Sequence, residues 1–94
     1  MEELEDDTEP MGLDELLTEN LMALVEHPNK VRVEMIENET MIGLTVHCDP
    51  QDRGIVIGRG GNNINALRVV FGHMAAKTKR RVTIEVADSR RPHG

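Results

Sequence analysis

The feature that most constrains the fold of this chain is a short glycine-rich segment, Gly58-Arg59-Gly60-Gly61. Glycine lets a backbone turn at positive φ and lie close to another surface. The apolar pair Val56-Ile57 precedes the segment, and helical spacing of apolar residues begins directly after it. Because the first turn of a helix offers free N–H groups and partial positive charge, the segment predicts a loop that contacts phosphate.

Apolar spacing elsewhere in the chain predicts the remaining elements. Leucines recur at short helical intervals over residues 13–27, which predicts a helix that Pro28 ends. Alternating apolar residues predict hairpin strands at 31–37 and 41–48 and a last strand at 82–86. Asp49 and Pro50 are typical of a helix start, with Asp52 where a capping-box acid would stand. We therefore expect a short helix from Pro50 to Ile57, and a helix of about 17 residues after the glycines.

These elements follow one another in the order α-β-β-α-α-β. Helices packed on one face of a three-stranded sheet would make a single α+β domain, which we place at residues 13–87. A chain of 94 residues has no room for a second core. Residues 1–12 are predicted to be an acidic disordered tail, and residues 88–94 a short polar C-terminal tail.

Charge is distributed unevenly along the chain. The net charge is −6, but residues 1–40 carry −11 and residues 41–94 carry +5. Exposed charges are screened beyond about 10 Å at ordinary salt, so attraction to phosphate depends on the local charge. The basic second part is therefore compatible with a nucleic-acid partner.

Several classes of function are not expected from this composition. No apolar run approaches the roughly 18 residues that span a membrane, and the acidic start is unlike a basic targeting peptide. The lone Cys48 closes an apolar series, so we expect a packing thiol in a cytoplasmic protein rather than a nucleophile. The histidines show no metal-ligand spacing and the acids do not cluster around a cleft. We therefore predict no enzymatic activity, no catalytic residue, no metal and no cofactor.

Three interpretations of the glycine segment compete. A plain turn between helices would need only one glycine, whereas this segment has three and a cation. A dinucleotide-binding fingerprint would find its acid near Glu85, but it needs a glycine where Asn63 stands and more strands than remain. The third interpretation is a clamp for a nucleic-acid backbone, and it depends on a longer pattern around the glycines.

Residues 56–67 match the pattern V-I-G-x-x-G-x-x-I-x-x-L at every fixed position. This pattern is the signature of KH domains, and the predicted element order resembles their bacterial type II arrangement. Over residues 13–87 the chain is similar to the small bacterial RNA-binding proteins of the KhpA type, which consist of little beyond one KH domain.

The resemblance implies a bacterial, cytoplasmic protein that binds single-stranded RNA. It implies a chaperone-like or post-transcriptional role, and a link to cell-envelope and division control. It also implies a homodimer or a heterodimer with a second KH-containing protein. A competing hypothesis is an interaction module, in which the apolar and acidic first helix binds a protein partner and RNA binding is vestigial. A dinucleotide-binding fragment is the remaining alternative.

A KH loop bends at its glycines so that about four nucleotides can be clamped. Gly60 would leave the tip bare, Arg59 would add a cation, and N–H groups at the helix start would face phosphate. An apolar groove beside the loop would hold bases, and the near absence of aromatic residues predicts low sequence selectivity. The candidate RNA-binding residues are Arg53, Ile57, Gly58, Arg59, Gly60, Gly61, Asn62, Asn63 and Ile64.

Overall fold

The computed structural model describes residues 12–87 and confirms the predicted α+β class. Its elements are α1 (Leu13–Leu24), β1 (Arg32–Glu37), β2 (Met41–His47), α2 (Arg53–Ile57), α3 (Asn62–Ala76) and β3 (Arg81–Val86). Short 3-10 turns precede β1, α2 and α3, at Pro28–Lys30, Pro50–Asp52 and Arg59–Gly61. The strand ends differ from the predicted ones by one residue, and α3 is slightly shorter than expected. Apart from Gly12, the two predicted tails lie outside the described residues.

The sheet is mixed, with β2 in the centre and the strand order β1-β2-β3. β2 pairs antiparallel with β1, where Val46 lies opposite Val33, and parallel with β3, where Leu44 lies opposite Ile84. An antiparallel pair needs only a short turn, whereas a parallel pair needs a long crossover, which here consists of α2 and α3. This crossover packs α3 against β3 and so positions the loop from which α3 begins.

One face of the sheet packs against all three helices and forms the core. Alternate residues of β2 are almost fully buried, namely Ile42, Leu44 and Val46. From the helices and β3, the buried residues are Leu17, Leu21, Val56, Ile64, Phe71, Ala75 and Ile84. Burying one large apolar side chain contributes about 1.5–3 kcal/mol relative to leaving it exposed. The other face of the sheet is more exposed, as Ile36 shows at 75%.

The end of α1 differs most from the prediction. The helix ends at Leu24 rather than at His27, and Val25 already has an extended backbone. The next two backbone N–H groups, of Glu26 and His27, donate to the carboxylate of Asp52 at 3.3 and 2.9 Å. A side chain distant in sequence therefore takes the place of further helical hydrogen bonds.

Asp52 is fully buried and joins the end of α1 to the start of α2. Its Oδ2 atom also lies 3.0 Å from Nδ1 of His27. The expectation that Asp52 acts as a capping-box acid is therefore wrong, whereas Asp49 is the predicted N-cap and accepts from the N–H of Gln51 at 2.8 Å. Burial raises the pKa of Asp52, but the hydrogen bonds from His27 and Glu26 outweigh burial and hold it below its ordinary value of 3.8.

We predict that Asp52→Asn lowers the unfolding midpoint by several degrees at neutral pH, because an amide replaces the charged acceptor of two backbone N–H groups. Since the pKa of Asp52 is lower in the folded chain, its stabilising effect is present above pH 3.8 and is lost as the pH falls through the folded value. Thermal unfolding of wild type and variant between neutral and acidic pH measures this difference.

Asp49→Asn is the matched control for this prediction. Asparagine is as good an N-cap as aspartate, so this variant should unfold close to the wild type. Equal midpoints for Asp52→Asn and Asp49→Asn at neutral pH would contradict the assigned role of Asp52.

Candidate nucleic-acid interface

The glycine segment forms the predicted joint between two helices. Gly58 ends α2 with φ 80°, Gly60 has φ 62°, and Gly61 begins α3 with φ 84°. These angles lie in the left-handed region, which other residues adopt only with strain. The N–H of Gly61 donates to the carbonyl of Gly58 at 3.0 Å, so residues 58–61, the GxxG loop, close a tight turn.

Gly58 is needed for space as well as for its backbone angle. A Cβ atom on Gly58 would lie 2.7 Å from the backbone nitrogen of Asn63 and 2.8 Å from Cγ of the same residue. Asn63 is held there because its Nδ2 atom donates to the carbonyl of Ile55 in α2 at 2.7 Å. The side chain of this predicted RNA-binding residue therefore braces the joint between α2 and α3.

The tip of the loop is open, whereas its base at Gly58 is closely packed. Arg59 and Gly60 are exposed, and a Cβ atom on Gly60 would meet nothing within 4 Å. Within residues 12–87, no acid lies at ion-pair distance from Arg59. Asn62 is also exposed, and no side chain caps the first turn of α3. The tip thus presents one cation, bare backbone and a helix start.

A groove of about 420 Å³ lies beside the loop, and we call it the loop groove. It is lined by Arg53, Ile57, Ile64, Arg68, Glu85 and Val86. The structure therefore brings together three of the predicted residues outside the loop, Arg53, Ile57 and Ile64. Ile64 is 5% exposed and belongs mainly to the core, whereas Ile57 is only half-buried and offers apolar surface.

Sequence reasoning missed the other half of the groove. Arg68 donates from Nε and Nη2 to the carbonyl of Ile84 in β3 at 3.1 and 3.0 Å, and Arg53 donates from Nε to the carbonyl of Ala87 at 3.3 Å. Arg68 follows Ile64 by one helical turn, so the helix face could have identified it. No sequence signal identifies Glu85 and Val86, because only the fold places β3 beside α3.

The free edge of β3 forms one wall of the loop groove. The N–H groups of Arg81 and Ala87 donate to carbonyls of β2, so every second residue of β3 points its peptide groups at β2. The peptide groups of Val82, Ile84 and Val86 therefore point toward the free edge. The carbonyl of Ile84 already accepts from Arg68, but the other N–H and C=O groups at this strand edge can bond an added partner, such as the edge of a base.

Residues 12–87 contain no group of three potential ligands that could hold a metal ion, and no helix among them is long and apolar enough to cross a membrane. Cys48 is half-buried, and burial raises the pKa of its thiol, with a further increase from the nearby carboxylate of Asp52. A thiol that stays protonated at neutral pH is a poor nucleophile, in agreement with the predicted packing role.

A GxxG turn between two helices, beside a strand edge in an α-β-β-α-α-β domain, defines a KH domain. A sequence model of the KhpA/KhpB KH domain matches residues 14–86. This chain belongs to that family, which confirms the predicted resemblance.

Named bacterial relatives are similar over most of their length. The RNA-binding protein KhpA of Halalkalibacterium halodurans is 40% identical over 67 residues, covering 71% of this chain and 88% of that protein. The RNA-binding protein KhpA of Borreliella burgdorferi is 36% identical over 74 residues, covering 79% and 90%. The protein of the same name from Mycobacterium tuberculosis is 35% identical over 66 residues, covering 70% and 79%. These names describe RNA-binding proteins, and the prediction that this chain is not an enzyme agrees with them.

We predict that Gly58→Ala costs about 3 kcal/mol of unfolding free energy, because a methyl group there is strained by the backbone and collides with Asn63. Gly60→Ala is the matched control. Its φ of 62° and ψ of 18° lie in the left-handed helical region, which is less strained than the φ of 80° and ψ of 166° at Gly58, and it has open space, so it should cost only about 1 kcal/mol. Urea denaturation of the two variants measures the difference, and equal losses would show that Asn63 does not constrain the joint.

Proposed function

We propose that this chain binds single-stranded RNA by clamping the sugar–phosphate backbone at the GxxG loop. The observation that carries the proposal is the contrast within the loop: its base is braced by Asn63, while its tip is bare and cationic. A rigid, uncovered backbone next to a cation suits a ligand whose main feature is a repeating phosphate. The names of the relatives, all RNA-binding proteins, support the same ligand.

In the proposed complex, a phosphate lies against the loop backbone between Gly58 and Gly61. Arg59 supplies a direct charge, and N–H groups of the first turn of α3 donate to phosphate oxygens. The adjoining bases enter the loop groove, where Ile57 offers apolar contact and the free edge of β3 offers peptide groups. The exposed tip thus binds the backbone, and the groove binds the bases.

Low selectivity follows from the side chains that are present. Phe71 is the only Phe, Tyr or Trp of the chain and is 1% exposed, and no histidine lines the loop groove, so a base in that groove has no ring to stack on. Contacts to phosphate do not distinguish sequences. We therefore expect affinities for unrelated single strands to differ by less than about tenfold, or 1.4 kcal/mol. Affinity should also be modest and should fall steeply with salt.

This mode of binding suits a protein that acts on many RNAs. We propose a chaperone-like or post-transcriptional role in the bacterial cytoplasm, with the link to cell-envelope and division control that the resemblance implies. A single clamp of about four nucleotides binds weakly, and a second binding module raises avidity without new contacts.

A second surface of the domain supports association with another binding module. An apolar groove of about 490 Å³ lies between α1 and α3, with Leu16, Leu24, Val70 and Met74 in its walls. Val70 is 52% exposed and Leu24 43% exposed, which is unusual for side chains of this type on adjoining helices. We propose that this face pairs with a second KH domain, either another copy of this chain or a second KH-containing protein. This surface also supports the interaction-module hypothesis.

We predict that Arg59→Asp with Gly60→Asp lowers the affinity for single-stranded RNA at least about tenfold, because two carboxylates repel phosphate at the tip. The fold should be preserved, since position 60 has open space and aspartate tolerates left-handed angles better than most residues. Fluorescence anisotropy with a labelled oligonucleotide measures the affinity, and circular dichroism checks the fold.

The matched control is Asn29→Asp with Lys30→Asp, which changes the net charge by the same three units on the exposed turn before β1. This variant should bind within about twofold of the wild type, because screening limits distant charges. Undiminished binding by a folded loop variant, or an equal loss in the control, would count against the proposed clamp.

We predict that Val70→Glu prevents association through the α1–α3 face, because a buried, unpaired carboxylate in an interface is strongly disfavoured. Sedimentation equilibrium should show a lower association constant for this variant by at least about tenfold. Ile36→Glu, an equivalent change on the open face of the sheet, is the control and should associate like the wild type. Equal association of Val70→Glu and wild type would reject this face.

A further inference from the structure

A second basic groove lies at the start of β3, at the end of α3 opposite the GxxG loop. It has a volume of about 630 Å³ and we call it the basic groove. Its lining includes Thr40, Met41, Lys79, Arg80, Arg81 and Thr83. The predicted RNA-binding residues include none of these.

The cations of the basic groove are not equivalent. Arg80 donates from Nη1 to Oε1 of Glu37 at 2.8 Å and to the carbonyl of Asn38 at 3.3 Å, so its charge is paired and it holds the turn before β2. Lys79 and Arg81 are exposed, and no acid of residues 12–87 lies at ion-pair distance from either. Two unpaired cations on one groove repel each other, and a bound anion would remove that repulsion.

Lys79 is held in an unusual backbone conformation. Its φ is 62°, and it is the only non-glycine residue of the described part of the chain with a positive φ. Glycine would adopt this angle without strain, yet the position just beyond α3 has a long cation instead. Strained residues of this kind concentrate at binding sites, which suggests that the lysine side chain is used.

Hydroxyl groups complete the polar lining. Thr83 lies two residues after Arg81 in β3, so both side chains are on the same face of the sheet. Thr40 directly precedes Met41, the residue of β2 that pairs with Arg81. Both threonines are exposed, but the hydroxyl of Thr40 donates to Oδ1 of Asn38 at 3.2 Å, so Thr83 is the one that can donate to an anion. A lysine, an arginine and a hydroxyl form a typical donor set for phosphate.

The basic groove and the loop groove lie on the same strand. Arg81 and Thr83 line the first, whereas Glu85 and Val86 line the second. The rise along a strand places Arg81 about 17 Å from Val86. Arg68 lines the loop groove together with Glu85 and is anchored on the carbonyl of Ile84, one residue closer to Arg81. A chain that leaves the loop groove along the free edge of β3 therefore passes Arg68 before it reaches the cations of the basic groove.

We propose that the basic groove is a second phosphate-binding site, which holds the RNA strand beyond the nucleotides clamped at the GxxG loop. This inference rests on the proposed RNA binding and extends its footprint past the usual four or so nucleotides. The simpler role of these cations is to complement the C-terminal dipole of α3. That role affects the stability of the chain but not its dependence on RNA length.

The test compares uridine oligomers of 4 and 12 nucleotides on the wild type and on Lys79→Gly with Arg81→Gln. Glycine at position 79 relieves the positive φ, so the variant should unfold at or above the wild-type temperature. The control, Lys30→Gln with Lys77→Gln, removes two exposed cations that do not line the groove. Affinities are measured by fluorescence anisotropy at a series of salt concentrations.

With two additional phosphate contacts, the wild type should bind the longer oligomer with a salt slope steeper by about 1.4. The groove variant should lose about tenfold in affinity for 12 nucleotides and most of that extra slope, while its affinity for 4 nucleotides stays unchanged. The control should keep both the affinity and the slope of the wild type.

Equal effects of the groove variant on the two lengths, or an equal effect of the control, would overturn the second site. Failure of the proposed function is recognised separately. In that case the wild type binds neither oligomer, or Arg59→Asp with Gly60→Asp leaves the binding of 4 nucleotides unchanged.

Discussion

The close approach of Gly58 to Asn63 is the contact on which the candidate interface depends. Because Gly58 has no side chain, the amide of Asn63 can reach the carbonyl of Ile55 and hold the start of α3 against the end of α2. The loop tip is then presented by two joined helices rather than by a free segment. A preorganised tip can bind phosphate without a large loss of conformational entropy.

Two long-range polar contacts fix the frame around that joint. Asp52 accepts the N–H groups at the end of α1 and thereby sets where α2 begins, and Arg68 ties α3 to the carbonyl of Ile84 at the edge of β3. The first contact is inside the domain, where an unsatisfied carboxylate would be costly. The second contact, between Arg68 and the carbonyl of Ile84, lies in the wall of the loop groove. The same hydrogen bonds therefore hold α3 to β3 and shape the groove.

Much of the fold could be predicted because its local signals agree with one another. Helical spacing, strand alternation, the N-cap at Asp49 and the KH signature all indicated the observed element order, and the structure confirms it. The end of α1 could not be predicted in the same way. Its last backbone groups bond to Asp52, which is distant in sequence, so no local pattern identifies the helix end.

The candidate binding site likewise combines features that the sequence predicts with features that it does not. The sequence by itself determined the GxxG loop and its bare, cationic tip, because glycine angles and an exposed arginine are local properties of residues 58–61. Only the tertiary structure decided that Asn63 turns inward, that Arg68 reaches β3, and that the free edge of β3 completes the groove. The last two features arise from the parallel pairing of β2 with β3, which connects residues far apart in the chain. Asn63 turns inward because its side chain bonds to the carbonyl of Ile55 in α2, and no local periodicity indicates any of the three contacts.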